Sequence, residues 1–361
     1  MRVGIRADAS VQIGTGHIRR CLELARELAD HGAEVRFVWR DLGLNVEAMT
    51  GAAGFASSSL PRPMAPFAGE PDLPPHGHWA EVTWRTDAAE TISALSGFRP
   101  EVLIVDHYAF DHRWHQEVRN GLGCKMAALD DLGDRPLDVE LIVDHNYCSD
   151  HRAKHRISEP FKPRILGGPT YALLSAAYRR PADLTICDTV RSVGIFMGGA
   201  DPANHSAMAL DAARQALGAG TTIEIATTSA NPNLAWLQTA AGADTACTLS
   251  VDLPDLAAFF GRHDLQIGAG GGATWERCCI GAPTVAIAFA DNHRPVLSPL
   301  DALGVLAFSS RGNEDAAILA TDIAALASDA ERRRDMSARA RALVDGLGLV
   351  RVGEAINALF R

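Results

Sequence analysis

No stretch of this 361-residue chain reaches the roughly 18 uninterrupted apolar residues of a membrane span. The first residues pass directly into a short apolar run, without a charged start and a long hydrophobic core, so no signal peptide is expected. Cys-x-x-Cys pairs are missing too. The seven cysteines (Cys21, Cys124, Cys148, Cys187, Cys247, Cys278, Cys279) are odd in number and scattered, which excludes a zinc ribbon or a disulfide scaffold and predicts reduced, mostly buried thiols in a cytoplasmic protein. Positive charge is in short supply: 34 Lys and Arg stand against 44 Asp and Glu, a formal net charge of −10. That balance speaks against nucleic acid and anionic membrane surfaces as general partners, and leaves room for one local basic pocket.

What is present is an ordinary α/β composition, 47% hydrophobic and 22% charged, in a chain long enough for two domains. Near the start, Val3-Gly4-Ile5 leads into Ala7–Arg20, whose Gly14 and Gly16 precede apolar residues at Ile18, Leu22, Ala25 and Leu28. Those four share one helical face, so the unit is strand, glycine loop, helix. Such a loop lets backbone approach a ligand, and the helix start offers free amides to an anion. Arg19 stands where a dinucleotide fingerprint needs its third glycine, and the next strand ends in Arg40 with no acidic ribose-binding residue. A dinucleotide site is therefore disfavoured. Taken alone, His17 is either a solvated residue at a helix start or a group titrating near neutrality beside whatever the loop holds.

After the strand Glu34–Trp39, the segment Leu60–Trp84 is crowded with prolines and reads as a long surface loop, its His76 and His78 solvated. A helix is expected over Ala88–Leu95. The continuous apolar runs Val102–Val105, Lys125–Leu129 and Leu141–Val143 then read as central parallel strands. Each ends in a polar cluster: Asp106-His107-Tyr108, Asp130-Asp131 and Asp144-His145-Asn146. Ligands in open α/β sheets sit beyond such strand ends. No compact ligand spacing unites these carboxylates and histidines, and strand-end carboxylates ordinarily cap helices, so no metal is expected.

The pattern restarts after residue 180. Val193–Met197 is a strand, Gly198-Gly199 a turn and Ala203–Leu217 a helix; strand and helix alternate again until Asp264–Ile267 meets Gly268-Ala269-Gly270-Gly271-Gly272-Ala273-Thr274-Trp275-Glu276. Four glycines at a strand-to-helix junction point to close approach of a ligand, with Thr274 expected to cap the helix while amides hold phosphate. The loop lacks the Gly-Lys-Thr/Ser ending of a Walker motif. The expected organisation is two Rossmann-like α/β lobes facing a cleft: 1–180 with the catalytic loop, 190–345 with the nucleotide, and 346–361 as a helix crossing back to the first lobe.

This is the plan of GT-B-type nucleotide-sugar enzymes. The run Arg6-x-Asp8-x-Ser10-x-x-Ile13-Gly14-x-Gly16-His17-Ile18-x-Arg20 resembles the PseG-type UDP-sugar hydrolases of pseudaminic acid biosynthesis, as do Asp106-His107-Tyr108, Tyr171-Ala172-Leu173-Leu174, Met197-Gly198-Gly199-x-Asp201 and Gly271-Gly272-x-Thr274-Trp275-Glu276. The resemblance implies hydrolysis of UDP-2,4-diacetamido-2,4,6-trideoxy-β-L-altropyranose to UDP and the free sugar, which goes on to a nonulosonate decorating flagellin or surface polysaccharide. By it His17 is the general base, with Asp8 and Tyr108 in the same catalytic site. Arg6, Gly14, Gly16, Tyr171 and Asn292 would bind the sugar substrate, and Gly198, Gly199, Gly271, Gly272, Thr274 and Glu276 the UDP. No cofactor is implied. A transferase similar to MurG and a non-catalytic nucleotide-sugar-binding module are the alternatives. The Leu60–Trp84 segment is longer than the family pattern and is expected to alter which sugar fits.

Overall fold

A computed structural model describes residues 1–156, 162–179, 184–290 and 293–360. The chain divides into two compact units, one built from Met1–Ser175 and Leu347–Arg361, the other from Ala176–Gly346. Asn292 and residues 180–183, where the first lobe is expected to end, lie outside the described residues.

Unit 1 holds a seven-stranded sheet of β1 (Arg2–Ala7), β2 (Glu34–Arg40), β3 (Ala56–Leu60), β4 (Val102–Asp106), β5 (Lys125–Leu129), β6 (Leu141–Asp144) and β7 (Arg164–Gly167). Their order is β3-β2-β1-β4-β5-β6-β7, every pairing parallel. A parallel sheet is covered on both faces, which is why β4, Val-Leu-Ile-Val-Asp, is buried at every position. One face carries the helix Gly16–Asp30, whose Ile18, Cys21, Leu22, Ala25 and Leu28 are buried. The C-terminal helix Gly348–Phe360 joins the same core through Leu349, Val352 and Ile356. Each such side chain, fully buried, contributes about 1.5–3 kcal/mol.

The proline-rich segment carries little regular structure beyond a short 3₁₀ turn, Gly77–Ala80. The helix expected from Ala88 begins at Trp84, because the Thr83 hydroxyl accepts a hydrogen bond from Thr86 N at 3.1 Å and caps it.

Unit 2 holds a six-stranded sheet of β8 (Ser192–Phe196), β9 (Thr222–Thr227), β10 (Cys247–Val251), β11 (Leu265–Ala269), β12 (Thr284–Ile287) and β13 (Ala307–Ser309), in the order β10-β9-β8-β11-β12-β13. All these pairings are parallel as well. Strands β8 and β11 are neighbours, but the chain leaves β8 for β9 on one side and β11 for β12 on the other. Ligands of open α/β sheets bind at such a reversal, beyond the carboxyl ends of the strands. Among the described residues no helix is long and apolar enough to cross a membrane.

Candidate active site

In unit 1 the strand ends carry two groups of ionised side chains. The first centres on Asp106, the last residue of β4 and fully buried. On the helix Gly16–Asp30, His17, Arg20 and Cys21 stand at spacings i, i+3 and i+4, so they project from one face onto that carboxylate. His17 Nδ1 lies 2.5 Å from Asp106 Oδ1. Arg20 donates from Nε to Oδ2 and from Nη2 to Oδ1, both at 2.6 Å, and the Cys21 thiol reaches Oδ2 at 3.4 Å. Burial would raise the carboxyl pKa, but Arg20 and His17 overcome it and hold Asp106 well below the usual carboxylate range. An ionised Asp106 accepts a hydrogen bond from His17 Nδ1–H and so fixes the tautomer in which Nε2 carries the lone pair. No hydrogen bond from another described residue engages Nε2.

Tyr108 completes this group. Its ring meets that of His17 edge-on at 4.7 Å, and its hydroxyl bonds to Asp131 and receives Arg20 Nη2 at 3.3 Å. Burial, then the Asp131 charge, keep the phenol protonated well above its ordinary pKa. Asp131 itself is drawn down to about 2, because Arg20, His145 and the Tyr108 hydroxyl outweigh its burial.

Asp8 and Arg6 belong to the second group. They lie two apart on β1 and the residue just after it, hence on one face, and both are fully buried. Arg6 pairs with Asp8 at 2.5 Å and Asp87 at 2.7 Å; Arg40 reaches the same Asp87 at 2.9 Å. Asp8 also accepts the Arg40 amide at 2.6 Å and faces His107 Nε2 at 3.1 Å. Burial opposes ionisation of Asp8, yet Arg6 and His107 prevail and pull its pKa far down. With its oxygens engaged and no exposure, Asp8 anchors the end of β1, and Arg6 is equally buried beside it.

The remaining unit 1 positions separate. Gly14 closes a tight turn by donating to Ser10 O at 2.8 Å, and Gly16 opens the helix that carries His17, a helix start with no side-chain cap. Tyr171 sits instead in the 3₁₀ turn Pro169–Tyr171, lining a pocket of about 220 Å³ with Arg164, Leu166 and Arg351, and shares no hydrogen bond or ring contact with the His17 group.

In unit 2 both glycine loops leave adjacent strands. Gly198 and Gly271 take φ of +100° and +115°, backbone that L side chains rarely adopt. Gly199 is pinned by its carbonyl, which accepts from Thr228 Oγ1 at 2.8 Å. The helix His205–Leu217 has its first amides filled by the Asp201 carboxylate, at 2.8 and 2.9 Å. By contrast the helix Ala273–Ile280 starts at Gly272 with no side-chain cap. Thr274 does not cap it: it falls inside the first turn, buried, where its hydroxyl receives Arg277 Nη2 at 3.3 Å. Glu276 lies in the same turn, close enough to Tyr178 to raise that phenol's pKa further after burial. His293 packs against Gly270 and Gly271, a neighbour the sequence did not single out. Among the described residues, no group of three or more His, Cys, Asp or Glu is arranged to hold a metal ion.

Two parallel sheets of this topology define the GT-B fold, and solved structures agree. The chain superposes on the MurG of Acinetobacter baumannii with TM-score 0.67 at 13% identity, covering 99% of each chain. It matches Phytolacca americana UGT2, solved with UDP-2-fluoro-glucose and pterostilbene, with TM-score 0.70 at 14% identity and the same coverage. In sequence it is 27% identical over 303 residues to the UDP-2,4-diacetamido-2,4,6-trideoxy-β-L-altropyranose hydrolase of Campylobacter jejuni, spanning 81% of this chain and 93% of that one. The resemblance to PseG-type UDP-sugar hydrolases thus extends from the motifs to most of the chain. No protein-family model matches.

Proposed function

We propose that this protein hydrolyses UDP-2,4-diacetamido-2,4,6-trideoxy-β-L-altropyranose by attack of water at the anomeric carbon. The observation that carries this reading is the His17–Asp106 pair at 2.5 Å, with Asp106 further held by Arg20. Water gives a proton to His17 Nε2 as its oxygen bonds to the anomeric carbon. The bond from that carbon to the phosphate oxygen breaks, and UDP leaves with the electron pair. The sugar configuration inverts. UDP is already a good leaving group, so the chemistry asks for a base, and for donors to the departing diphosphate rather than a strong acid. Asp106 stabilises the imidazolium that forms.

Unit 2 supplies the diphosphate donors in this reading: the Gly198-Gly199 and Gly271-Gly272 loops and the uncapped helix start. Tyr108 supports His17 by packing on its ring. The products would enter pseudaminic acid synthesis, and a cytoplasmic setting fits seven cysteines that are all free.

The test is UDP release from that substrate in ¹⁸O-water, with chelator and without an acceptor. Release should persist, with the label in the sugar and none in UDP. Label in UDP would mean attack at phosphorus. Substrate binding without any release would turn the reading to a transferase awaiting its acceptor.

A further inference from the structure

Among its described residues, unit 2 buries two guanidinia without a paired carboxylate, Arg277 and Arg333, and Arg277 is the one with two of its three nitrogens unpartnered. Arg277, on the helix Ala273–Ile280, is 1% exposed, and among the described residues no carboxylate pairs with it. Its Nη2 donates to Ala269 O at 2.8 Å and to Thr274 Oγ1 at 3.3 Å, while Nε and Nη1 have no partner. Other buried arginines are treated differently. Arg6 and Arg40 are neutralised by Asp8 and Asp87, and Arg333 is wrapped by the carbonyls of Cys187, Asp188, Leu326 and Ala327. Burying an unpaired charge is costly, and a fold retains one where something else supplies the opposite charge.

The position says what that is. The guanidinium lies against the last residues of β11, at the β8/β11 reversal where the glycine loop begins: a Cβ on Gly268 would stand 2.2 Å from Arg277 Nη1 and 3.1 Å from Phe196 O. Gly268 is therefore glycine because Arg277 fills the space its side chain would need. Above it, Gly271 and Gly272 are exposed and the helix start is uncapped, whereas the neighbouring helix start already holds the Asp201 carboxylate. Burial draws the Arg277 pKa down to about 10, and the approach of an anion would relieve that.

We propose that Arg277 is a positioning residue whose buried charge, acting through the Gly268–Gly272 loop, makes that loop selective for the diphosphate of a nucleotide. This rests on the reading of unit 2 as the UDP-binding unit. The experiment titrates the full-length protein with uridine and with UDP, as wild type, Arg277→Met and Arg277→Lys.

Arg277→Met should bind UDP on the order of tenfold more weakly and uridine unchanged. In Arg277→Lys the buried amine titrates below the arginine it replaces, so UDP binding should fall as pH rises between about 7 and 8.5, below the ionisation of the uracil ring, with uridine binding flat. The lysine variant keeps the test open if Arg277→Met fails to fold. Equal loss of UDP and uridine in Arg277→Met, or UDP affinity untouched in it, overturns the charge role alone. So does a pH-independent lysine variant. A wild-type protein that binds no UDP overturns the nucleotide reading of unit 2 itself.

Discussion

The strand-end rim of unit 1 is dense with paired charge, whereas that of unit 2 is almost bare of it. Around the ends of β1, β4 and β5 stand Asp8, Arg6, Asp106, Arg20 and Asp131, each held by an opposite partner. Beyond β8 and β11 stand glycines, Asp201 turned onto its own helix, an uncapped helix start and one buried arginine with no paired carboxylate. Paired charge is rigid and internally satisfied, and it suits the holding of a single imidazole in a single tautomer. A glycine loop and a helix start without a side-chain cap, over a buried cation, suit the opposite task, receiving charge that arrives with a ligand. On one kind of sheet, the difference lies wholly in the residues at and just beyond the strand ends.

Removing the charge that orients His17 should produce the largest effect. Asp106→Asn should lower kcat by roughly 10²–10⁴ while UDP affinity stays unchanged. Steady-state kinetics beside calorimetric UDP binding would check it, and a kcat within threefold of wild type would break the contrast between the rims. Asp8→Ala should cost about 3–5 kcal/mol of stability, because Arg6 is left buried with half its partners. Denaturant unfolding measures this, and a change below about 1 kcal/mol would mean that the ion cluster does not anchor β1. Gly271→Val forces a β-branched residue to φ +115° at a cost of about 1–3 kcal/mol, so UDP binding should weaken by tenfold or more with the His17 group undisturbed.

Acid should separate the rims more gently. Asp8, Asp87 and Asp106 are all depressed in the folded protein, so their stabilisation is complete above an unfolded pKa of about 3.9 and is lost as pH falls toward their lower folded values. Hydrogen exchange between about pH 4 and 2 should show β1 and β4 losing protection before β8 and β11. The reverse order would place the acid-sensitive charge elsewhere.

The fold class was legible because central parallel strands are continuous apolar runs, as in Val102–Val105. Strands β3 (Ala-Ser-Ser-Ser-Leu) and β10 were not, because each is a sheet edge, and only one neighbouring strand imposes a pattern on it. His17 announced itself through its loop. The importance of Asp106 was hidden, since a strand-end Asp looks like any helix cap until the helix brings His17, Arg20 and Cys21 onto it. The partners of Asp8 were hidden for a similar reason: Arg40 and Asp87, which claim it and its neighbour Arg6, are 32 and 79 residues away along the chain. Arg277 carried no local mark at all, because an unpaired charge is recognised only once its surroundings are known.

The division of labour between the rims is tested most directly by His17→Ala, with UDP release from the proposed substrate and UDP affinity measured on the same preparation. Release should fall by roughly 10²–10⁴ while UDP binds as in the wild type. Unchanged release would remove His17 from the chemistry, and a parallel loss of UDP affinity would show that the two rims do not divide the work.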